Sequence, residues 1–364
     1  MGKPLTVGIV GIGTISGQYL TNIDSLAEVQ LVAVSDLDPQ RAERAAAERP
    51  GVVALPTDQL LARDDIDVVL NLTTPAEHAD LALAALAAGR GVYGEKPLAT
   101  NTVDGRRILD AAAAAGLPIG CAPDTVLGTG IQTARKAIDD GIIGTPIAAS
   151  ATMVTPGHER WHPAPDFYYQ PGGGPLFDMG PYYLSALITL LGPITAVTGM
   201  ASRMRSTRTI ATGERAGTVV PVNVDSHATA LLRHAGGAIS TLIVSFDAVG
   251  TRSANIEVHG ERGTLAVPDP NFFVGDVDLL RLGDDEWSTL APSAGYTNGG
   301  RGIGLADLAR TAPGSEPRAG GALGFHVLDV MESILTAVAQ GTTIEVASTV
   351  ARPAAVPLTD LPRR

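Results

Sequence analysis

The chain has 364 residues, which exceeds one ordinary domain and predicts two. Hydrophobic residues make up 45% of it and charged residues 18%, a composition that supports substantial cores and excludes a disordered chain. The net charge of -12 argues against a nucleic-acid partner, which would require a basic face, and the single cysteine, Cys121, excludes an intrachain disulfide.

The first third of the chain alternates short apolar runs with helical patterns. Leu5 to Val10 predicts a strand, and a glycine-rich turn at residues 11–17 leads into a helix. Leu31 to Ser35 predicts a second strand, followed by an alanine-rich helix that begins near Pro39. The alternation continues with strands at Ile66 to Leu72, Gly91 to Gly94 and Leu117 to Cys121 and helices at Ala76 to Ala88 and Asp104 to Ala115. This pattern predicts a doubly wound parallel sheet over residues 1–122.

The pattern changes after residue 122. Helices are predicted at Ile131 to Asp140 and Asp178 to Leu191, with proline- and glycine-rich loops between them, and a late helix at Phe325 to Ala339. Strand candidates without intervening helices lie at Ile194 to Met200, Asp225 to Leu232, Ala238 to Ser245, Asn255 to His259 and Gly263 to Val267. Residues 123–364 are therefore predicted to form a second domain with a predominantly antiparallel sheet, which makes the fold class α/β.

The glycine turn predicts a nucleotide site. Gly11 permits a tight turn, Gly13 lets the backbone approach a pyrophosphate, and Ser16 is small enough for close packing of the helix on the strand. Asp36 ends the next strand, where its carboxylate can bind ribose hydroxyls and would repel a 2′-phosphate. The sequence therefore favours NAD over NADP.

A second set of predicted cofactor contacts lies at the carboxyl ends of later strands, where ligands of open α/β sheets bind. The proline after Lys96 disfavours helical geometry at the lysine and stiffens its loop. A fixed cation beside a substrate hydroxyl would stabilise a developing alkoxide, which suggests an enzyme that moves a hydride. The predicted cofactor-binding residues are Gly11, Gly13, Thr14, Ile15, Asp36, Asn71, Thr73, Thr74, Pro75, Glu95 and Lys96.

The glycine turn and Asp36 are followed by Thr73-Thr74-Pro75, Glu95-Lys96-Pro97 and the sequence GGGPLFDMGPY over residues 172–182. Together these motifs resemble the glucose–fructose oxidoreductase / inositol dehydrogenase family, usually called Gfo/Idh/MocA. The resemblance implies a Rossmann domain followed by an α/β domain whose open sheet often mediates oligomerisation, and hence a homo-oligomer, dimer or tetramer. It also implies an NAD(P)-dependent enzyme that oxidises or reduces one hydroxyl or carbonyl of a sugar, glycoside or cyclitol.

The last motif departs from the family's commonest form, in which Asp is followed by His four residues later and Asp three beyond. Those positions are here Asp178, Tyr182 and Ser185. Asp178 and Tyr182 would share one face of a helix. A tyrosine also occupies this position in the glucose–fructose oxidoreductase and dihydrodiol dehydrogenase branches of the family.

The resemblance thus implies Lys96, Tyr182 and Asp178 as the catalytic residues. A phenol with an ordinary pKa of about 10 is a poor base at neutral pH, but a nearby Lys96 cation would lower that pKa. Tyr182 would then exchange the proton with the substrate, and Asp178 would orient its hydroxyls or relay the proton. Two alternatives stay open, since Tyr182 could be a packing residue and Tyr183 beside it is a competing candidate.

Residues 158–162 spell HExxH, the pattern of zinc proteases. That pattern binds a metal within a helix, and prolines on both sides exclude a long helix here, so no metal is expected. The aromatic residues of this segment instead predict sugar recognition, with loop packing or an oligomer contact as the alternative. Asp124 lies on a loop where many family members carry an arginine, and residues 120–134 contain none, which suggests a substrate without a strongly anionic group. The predicted substrate-binding residues are Asp124, Trp161, His162, Tyr168, Asp178 and Tyr182.

Two other functions remain compatible with the sequence. One is a redox-neutral enzyme that keeps NAD bound and processes a glycoside through transient oxidation, and the other is a non-catalytic sensor of sugar or NAD on the same scaffold. The N-terminal residues lack the apolar stretch of a signal peptide, and no run approaches eighteen apolar residues. We therefore expect a cytoplasmic protein whose partner is a small carbohydrate-like substrate, with no nucleic-acid or membrane partner.

Overall fold

The computed structural model describes residues 3–312 and 314–364, so that Met1 and Gly2 of the predicted first domain lie outside the described residues. The chain forms two compact units. The first comprises Met1–Thr129, Ala294–Leu328 and Pro353–Arg364, and the second comprises Gly130–Ser293 and Asp329–Arg352. The sequence predicted two continuous domains that meet at residue 122. The units of the structure are discontinuous, because the chain returns twice to the first unit.

The first unit contains a six-stranded parallel sheet. Its strands are β1 (Leu5–Val10), β2 (Val29–Ser35), β3 (Val53–Ala54), β4 (Val68–Asn71), β5 (Gly91–Gly94) and β6 (Ile119–Cys121). Its helices up to β6 are α1 (Ser16–Ile23), α2 (Pro39–Ala47), α3 (Thr57–Leu61), α4 (His78–Ala87) and α5 (Thr102–Ala115). The strand order is β3-β2-β1-β4-β5-β6, and every neighbouring pair is parallel. This is the order of a dinucleotide-binding sheet, and it confirms the predicted doubly wound domain.

Local sequence explains most of these elements. Val7, Ile9 and Leu70 are fully buried, because the strands of a parallel sheet are covered on both faces and therefore consist of apolar residues. The side chain of Asn101 accepts a hydrogen bond from the third residue beyond it and so caps α5. Gly116 ends that helix in the left-handed region, with φ of 63°. The short elements β3 and α3 were not predicted, since two and five residues give no periodic pattern.

The second unit contains a nine-stranded sheet. Its strands are β7 (Pro146–Val154), β8 (Ile194–Ser202), β11 (His227–His234), β12 (Ile239–Ser245), β13 (Ile256–Gly260), β14 (Gly263–Val267), β15 (Val277–Arg281), β16 (Ser288–Leu290) and β17 (Ile344–Glu345). The short strands β9 (Thr207–Thr209) and β10 (Val219–Pro221) form a separate antiparallel pair. The α-helices between β6 and β8 are α6 (Thr129–Asp139) and α7 (Gly174–Leu191).

The order of the large sheet is β16-β15-β14-β13-β7-β12-β11-β8-β17. Only β7 and β12 pair in parallel among the described strands of this sheet, so the prediction of a predominantly antiparallel sheet is confirmed. Strand β7 was not predicted, because its alanine-rich sequence has a low preference for strands.

Two helices lie between β16 and β17 along the chain, α8 (Ile303–Arg310) and α9 (Gly321–Gln340). Helix α9 is, among the described residues, the one helix long and apolar enough to cross a membrane, with a mean hydropathy of 1.5. Its Leu328, Met331 and Ile334 side chains are nevertheless fully buried within the protein. A buried core helix passes the same test of length and composition, and α9 has the burial of such a helix.

Candidate active site

The glycine turn at the end of β1 has the geometry that its sequence predicts. Gly11 has φ of 101°, and a Cβ atom there would lie 2.6 Å from a backbone oxygen, so only glycine fits. At Gly13, by contrast, no described atom lies within 4 Å of the position that a Cβ atom would occupy, which leaves room for a ligand against the backbone. Thr14 is exposed and Ile15 is half-buried, while the Ser16 hydroxyl donates a 2.7 Å hydrogen bond to the carbonyl of Gly13. The turn therefore presents its backbone at the beginning of α1, where anions bind.

The carboxylate of Asp36 lies beside this turn. One of its oxygens accepts a 2.6 Å hydrogen bond from the backbone N–H of Ile12, and the other accepts a 2.8 Å bond from that of Asp38. Asp36 is half-buried at the end of β2. The acid that was predicted to bind the ribose is thus fixed against the turn that was predicted to bind the pyrophosphate.

The loop after β4 is organised by the side chain of Asn71, which is 1% exposed. Its Oδ1 accepts hydrogen bonds from the backbone N–H and the hydroxyl of Thr73, at 3.1 and 2.6 Å, and its Nδ2 donates to the carbonyl of His78. Thr73 and Pro75 are half-buried and Thr74 is exposed. The side chain of Asn71 thus stabilises the loop through hydrogen bonds to it, and its contact with the cofactor stays a prediction.

The tripeptide after β5 is held by a buried carboxylate. Oε1 of Glu95 accepts a 2.6 Å hydrogen bond from the hydroxyl of Tyr19, and Oε2 accepts a 3.0 Å bond from the backbone N–H of Lys96. Glu95 is 8% exposed and Lys96 is half-buried, so the lysine is not an ordinary surface residue. Both oxygens of Glu95 are engaged within the protein, where they fix the backbone that carries Lys96.

His78 connects the two loops. Its Nδ1 lies 2.7 Å from the carbonyl oxygen of Pro97, and its Nε2 lies 3.2 Å from the carbonyl oxygen of Thr73. Burial lowers the pKa of this histidine, and the two carbonyl contacts oppose that shift. Nothing in the helical pattern around His78 shows that it reaches a loop nineteen residues later.

The sequence placed Asp124 among the substrate-binding residues, but the structure places it in the interior of the first unit. It is 0% exposed, and its Oδ2 accepts hydrogen bonds from the backbone N–H groups of Gly302 and Gly304, at 2.8 and 3.1 Å. Burial raises its pKa to about 6, although Arg301 and the two N–H groups oppose that shift. Asp124 thus satisfies N–H groups at the beginning of α8 that have no partner within the helix.

In the second unit, α7 presents the predicted pair of side chains. Gly174 begins the helix with φ of 80°, and Asp178 and Tyr182 follow at positions one turn apart. Tyr182 is 5% exposed and Asp178 is half-buried. Oδ2 of Asp178 lies 2.8 Å from Nε2 of His158, the first residue of the HExxH segment, to which the sequence assigned no function.

The competing candidate, Tyr183, has a different environment. It is fully buried, and its hydroxyl accepts a 2.9 Å hydrogen bond from Nδ2 of Asn255 and donates a 3.4 Å bond to Asp269. Burial and the nearby carboxylate raise the pKa of this phenol. These contacts join α7 to the residue before β13 and to a residue after β14, and they favour a structural role for Tyr183.

The segment before α7 carries exposed aromatic rings. Trp161 is 57% exposed and Phe167 is 51% exposed, while His162 and Tyr168, which follow them directly in the sequence, are half-buried. The ring centroids of Phe167 and Tyr168 lie 4.0 Å apart, and those of Trp161 and His162 lie 5.3 Å apart. A cluster of aromatic faces with polar tips suits a sugar ring, as the sequence suggested.

The HExxH segment does not form the helix of a zinc protease. Residues His158–Arg160 form a single 3₁₀ turn, and Glu159 is buried with its carboxylate bonded to the Tyr169 hydroxyl and to Arg208. Nδ1 of His162 accepts a hydrogen bond from a backbone N–H. Within residues 3–312 and 314–364, no group of three His, Cys, Asp or Glu side chains is arranged to hold a metal ion.

Two family models match this chain. Residues 5–122 match the model described as an oxidoreductase family with an NAD-binding Rossmann fold, and residues 131–266 match the GFO/IDH/MocA C-terminal domain. The chain belongs to the Gfo/Idh/MocA oxidoreductase family. It is therefore an oxidoreductase with an NAD-binding Rossmann domain, as its motifs predicted.

Curated relatives of this Gfo/Idh/MocA protein include sugar and cyclitol enzymes. A dTDP-3,4-didehydro-2,6-dideoxy-alpha-D-glucose 3-reductase of Saccharopolyspora spinosa is 30% identical over 273 residues, 73% of this chain and 75% of the relative. An inositol 2-dehydrogenase of Gluconacetobacter diazotrophicus is 34% identical over 146 residues, which cover 38% of this chain and 43% of the relative. The first of these similarities extends over both units, since 273 residues exceed either one.

Solved structures share the fold over nearly the whole chain. An NAD-binding oxidoreductase from Klebsiella pneumoniae is 25% identical, with a TM-score of 0.82 over 95% of this chain and 100% of that one. A levoglucosan dehydrogenase in complex with NADH is 20% identical, with a TM-score of 0.78 over the same shares of the two chains. The second likeness concerns the fold alone.

Proposed function

We propose that this oxidoreductase transfers a hydride between NAD and a secondary alcohol or carbonyl of a sugar, glycoside or cyclitol. The relatives whose names state a substrate support this class, since one reduces a keto sugar nucleotide and others oxidise inositol. The low aromatic content of 4% makes the exposed rings before α7 a distinctive local feature. Their faces suit the C–H faces of a sugar or cyclitol ring.

The residues of the first unit fit NAD. A Cβ would collide at Gly11 but meets open space at Gly13, and Asp36 is fixed beside them with its negative charge. The residues that we assign to the cofactor are Gly11, Gly13, Thr14, Ile15, Asp36, Asn71, Thr73, Thr74, Pro75, Glu95 and Lys96. When bound, NAD supplies the acceptor or donor of the hydride.

The observation that carries the proposal is the placement of Lys96. It is half-buried at the carboxyl end of β5, and Tyr19 and Glu95 fix its backbone. We assign to Lys96 the stabilisation of the substrate alkoxide, to Tyr182 the exchange of the proton and to Asp178 the orientation of the hydroxyls. We further assign Trp161, His162 and Tyr168 to the recognition of the ring.

The test is a screen of NAD⁺ reduction against pyranoses, inositols and glycosides, followed at the absorbance band of NADH. We expect at least one class to give steady formation of NADH, with NAD⁺ preferred over NADP⁺. Glycoside cleavage without net NADH, in protein that retains its cofactor, would assign the redox-neutral function instead. An empty cofactor site together with no turnover of any compound would assign a sensor.

We also propose a cytoplasmic homo-oligomer. The outward face of the large sheet carries Met200 at 82% exposure, Leu231 at 48% and Ile239 at 53%, whereas the alternate residues of β11 are buried. These apolar side chains on an open sheet suit a second copy of the chain. Light scattering should give a dimer or tetramer that Leu231→Arg dissociates, and a wild-type monomer at micromolar concentration would contradict this assignment.

A further inference from the structure

The side chain of Asp178 has an imidazole partner. Nε2 of His158 lies 2.8 Å from Oδ2 of Asp178, and only 10% of the histidine side chain and 14% of the aspartate side chain are exposed. The two residues are 20 positions apart and lie on different elements, a loop turn and α7. A partly buried hydrogen bond to a carboxylate is one of the stronger types in proteins.

The surroundings of His158 indicate which ring nitrogen carries the proton. The ring packs against Phe246, Tyr168 and Trp161, with centroid distances of 4.3, 4.5 and 5.1 Å. Its Nδ1 is buried and has no hydrogen-bond partner in the part of the chain that the structure describes. A proton on Nδ1 would therefore be unsatisfied, so the contacts assign the tautomer in which Nε2–H donates to Asp178.

The loop that carries His158 is held in place by its own buried contacts. The backbone N–H of His158 donates a 3.1 Å hydrogen bond to the hydroxyl of Tyr169, which itself donates to Glu159. Arg208 joins Glu159 to Asp247, and its side chain is 1% exposed. His158 therefore reaches α7 from a fixed position, and a fixed donor restricts the rotamer of the carboxylate that it contacts.

We propose that His158 is a positioning residue for the reaction, because its Nε2–H holds the Asp178 carboxylate in the orientation that the substrate hydroxyls require. The inference rests on the proposed oxidation of a sugar or cyclitol and adds to it a residue outside the motifs that carry the family resemblance. His158 acts through Asp178 and takes no proton from the substrate. Its function depends on a donor at the position of Nε2.

Two amide replacements test whether the donor must lie at the position of Nε2. His158→Gln carries an amide nitrogen at the end of a chain as long as the path to Nε2, whereas the amide of His158→Asn ends near the position of Nδ1. We expect His158→Gln to keep kcat within about threefold of the wild type. We expect His158→Asn to lose about 10- to 100-fold in kcat, the equivalent of one hydrogen bond to a charged group, with an unchanged KM for NAD.

The same pair of changes at His234 provides the control. His234 is a buried histidine of the same unit, whose ring nitrogens contact the carbonyl of Gly192 at 2.8 Å and the hydroxyl of Ser240 at 2.7 Å. Its variants should lower the melting temperature and leave kcat unchanged. Equal kcat values for His158→Gln and His158→Asn, whether both normal or both low, would overturn the proposal.

A spectroscopic measurement separates this inference from the proposed function. In ¹⁵N-histidine-labelled protein, we expect the His158 ring to show a protonated Nε2 whose resonance carries the shift of a hydrogen bond to a carboxylate, and we expect Asp178→Ala to remove that shift. The signal is independent of turnover. If no sugar reduces NAD⁺ but the signal is present, the proposed function fails and the pairing stands, whereas a wild-type ring protonated on Nδ1 overturns the pairing itself.

Discussion

The hydroxyl of Tyr19 donates a 2.6 Å hydrogen bond to the carboxylate of Glu95, 76 positions later in the chain. Both side chains are buried, and burial followed by the charge of Glu95 raises the pKa of the phenol, which therefore remains a donor. The bond joins α1, which follows the glycine turn, to the loop of Lys96. Two motifs that are far apart in sequence are thus mechanically connected.

Tyr19→Phe should remove the donor and keep the packing of the ring. A buried carboxylate oxygen without its donor costs about 1–3 kcal/mol, so the free energy of unfolding in urea should fall by that amount and the KM for NAD should rise. Tyr296→Phe is the matched control, because it removes a 2.8 Å bond to the buried Asp307 in the same unit. The control should lose stability without a change in KM, and equal KM values for both variants would contradict the connection.

Asp36 should determine the choice between NAD and NADP. Asp36→Asn removes the negative charge and keeps one of the two acceptors for the N–H groups of Ile12 and Asp38, whereas Asp36→Ala removes both acceptors. Loss of about 1.4 kcal/mol of repulsion would raise kcat/KM for NADP relative to NAD about tenfold in either variant. Only the alanine variant should also show a clearly lower melting temperature. An unchanged ratio in the asparagine variant would show that Asp36 does not exclude the 2′-phosphate.

The adjacent residues Tyr182 and Tyr183 provide a test with a built-in control. Tyr182→Phe should lower kcat by about 100-fold or more, which is the contribution of a positioned general acid or base. Tyr183→Phe loses its contacts with Asn255 and Asp269, so it should lower the free energy of unfolding by about 1–2 kcal/mol and leave kcat near the wild-type value. A large loss of kcat in Tyr183→Phe, with a near wild-type kcat in Tyr182→Phe, would instead assign the proton exchange to Tyr183.

Asp124 should make stability depend on pH in a definite direction. Burial raises its pKa from an ordinary 3.8 to about 6, so the folded chain binds this proton more readily than the unfolded chain. Its contribution to stability is fully present below about pH 4 and is lost as the pH rises through about 6. Relative to Asp124→Asn, the wild type should therefore gain stability between pH 7 and pH 5 in urea titrations. A difference that is constant over this range would contradict a raised pKa.

The sequence predicts well the features that depend on neighbouring residues. Strands β1 (Leu5–Val10), β5 (Gly91–Gly94) and β14 (Gly263–Val267) begin and end at the predicted residues, because strand-forming runs bounded by glycine or a turn are local signals. The NAD-binding fold follows equally from local motifs, and the family models confirm it. Gly11 illustrates the reason, since its tight turn excludes every other residue type.

The features that were missed depend on contacts between distant segments. His158 pairs with Asp178 across 20 positions, and a proline-rich loop gives no periodicity from which that contact could be predicted. His78 has a helical pattern that conceals its contact with Pro97. Asp124 was predicted to bind substrate, and nothing near it in the sequence indicates its burial, because its N–H partners lie about 180 positions later, at Gly302 and Gly304.

In the proposed function, Lys96 supports hydride transfer from a secondary alcohol to NAD. The most direct measurement is the rate of NADH formation with the best substrate of the screen, for the wild type and for Lys96→Ala, together with the calorimetric affinity of each for NAD. We predict that kcat falls by about 100- to 1,000-fold, as on loss of a group that stabilises an oxyanion, while the affinity for NAD stays within a few-fold. Near wild-type turnover by a Lys96→Ala variant that binds NAD normally would contradict the claim.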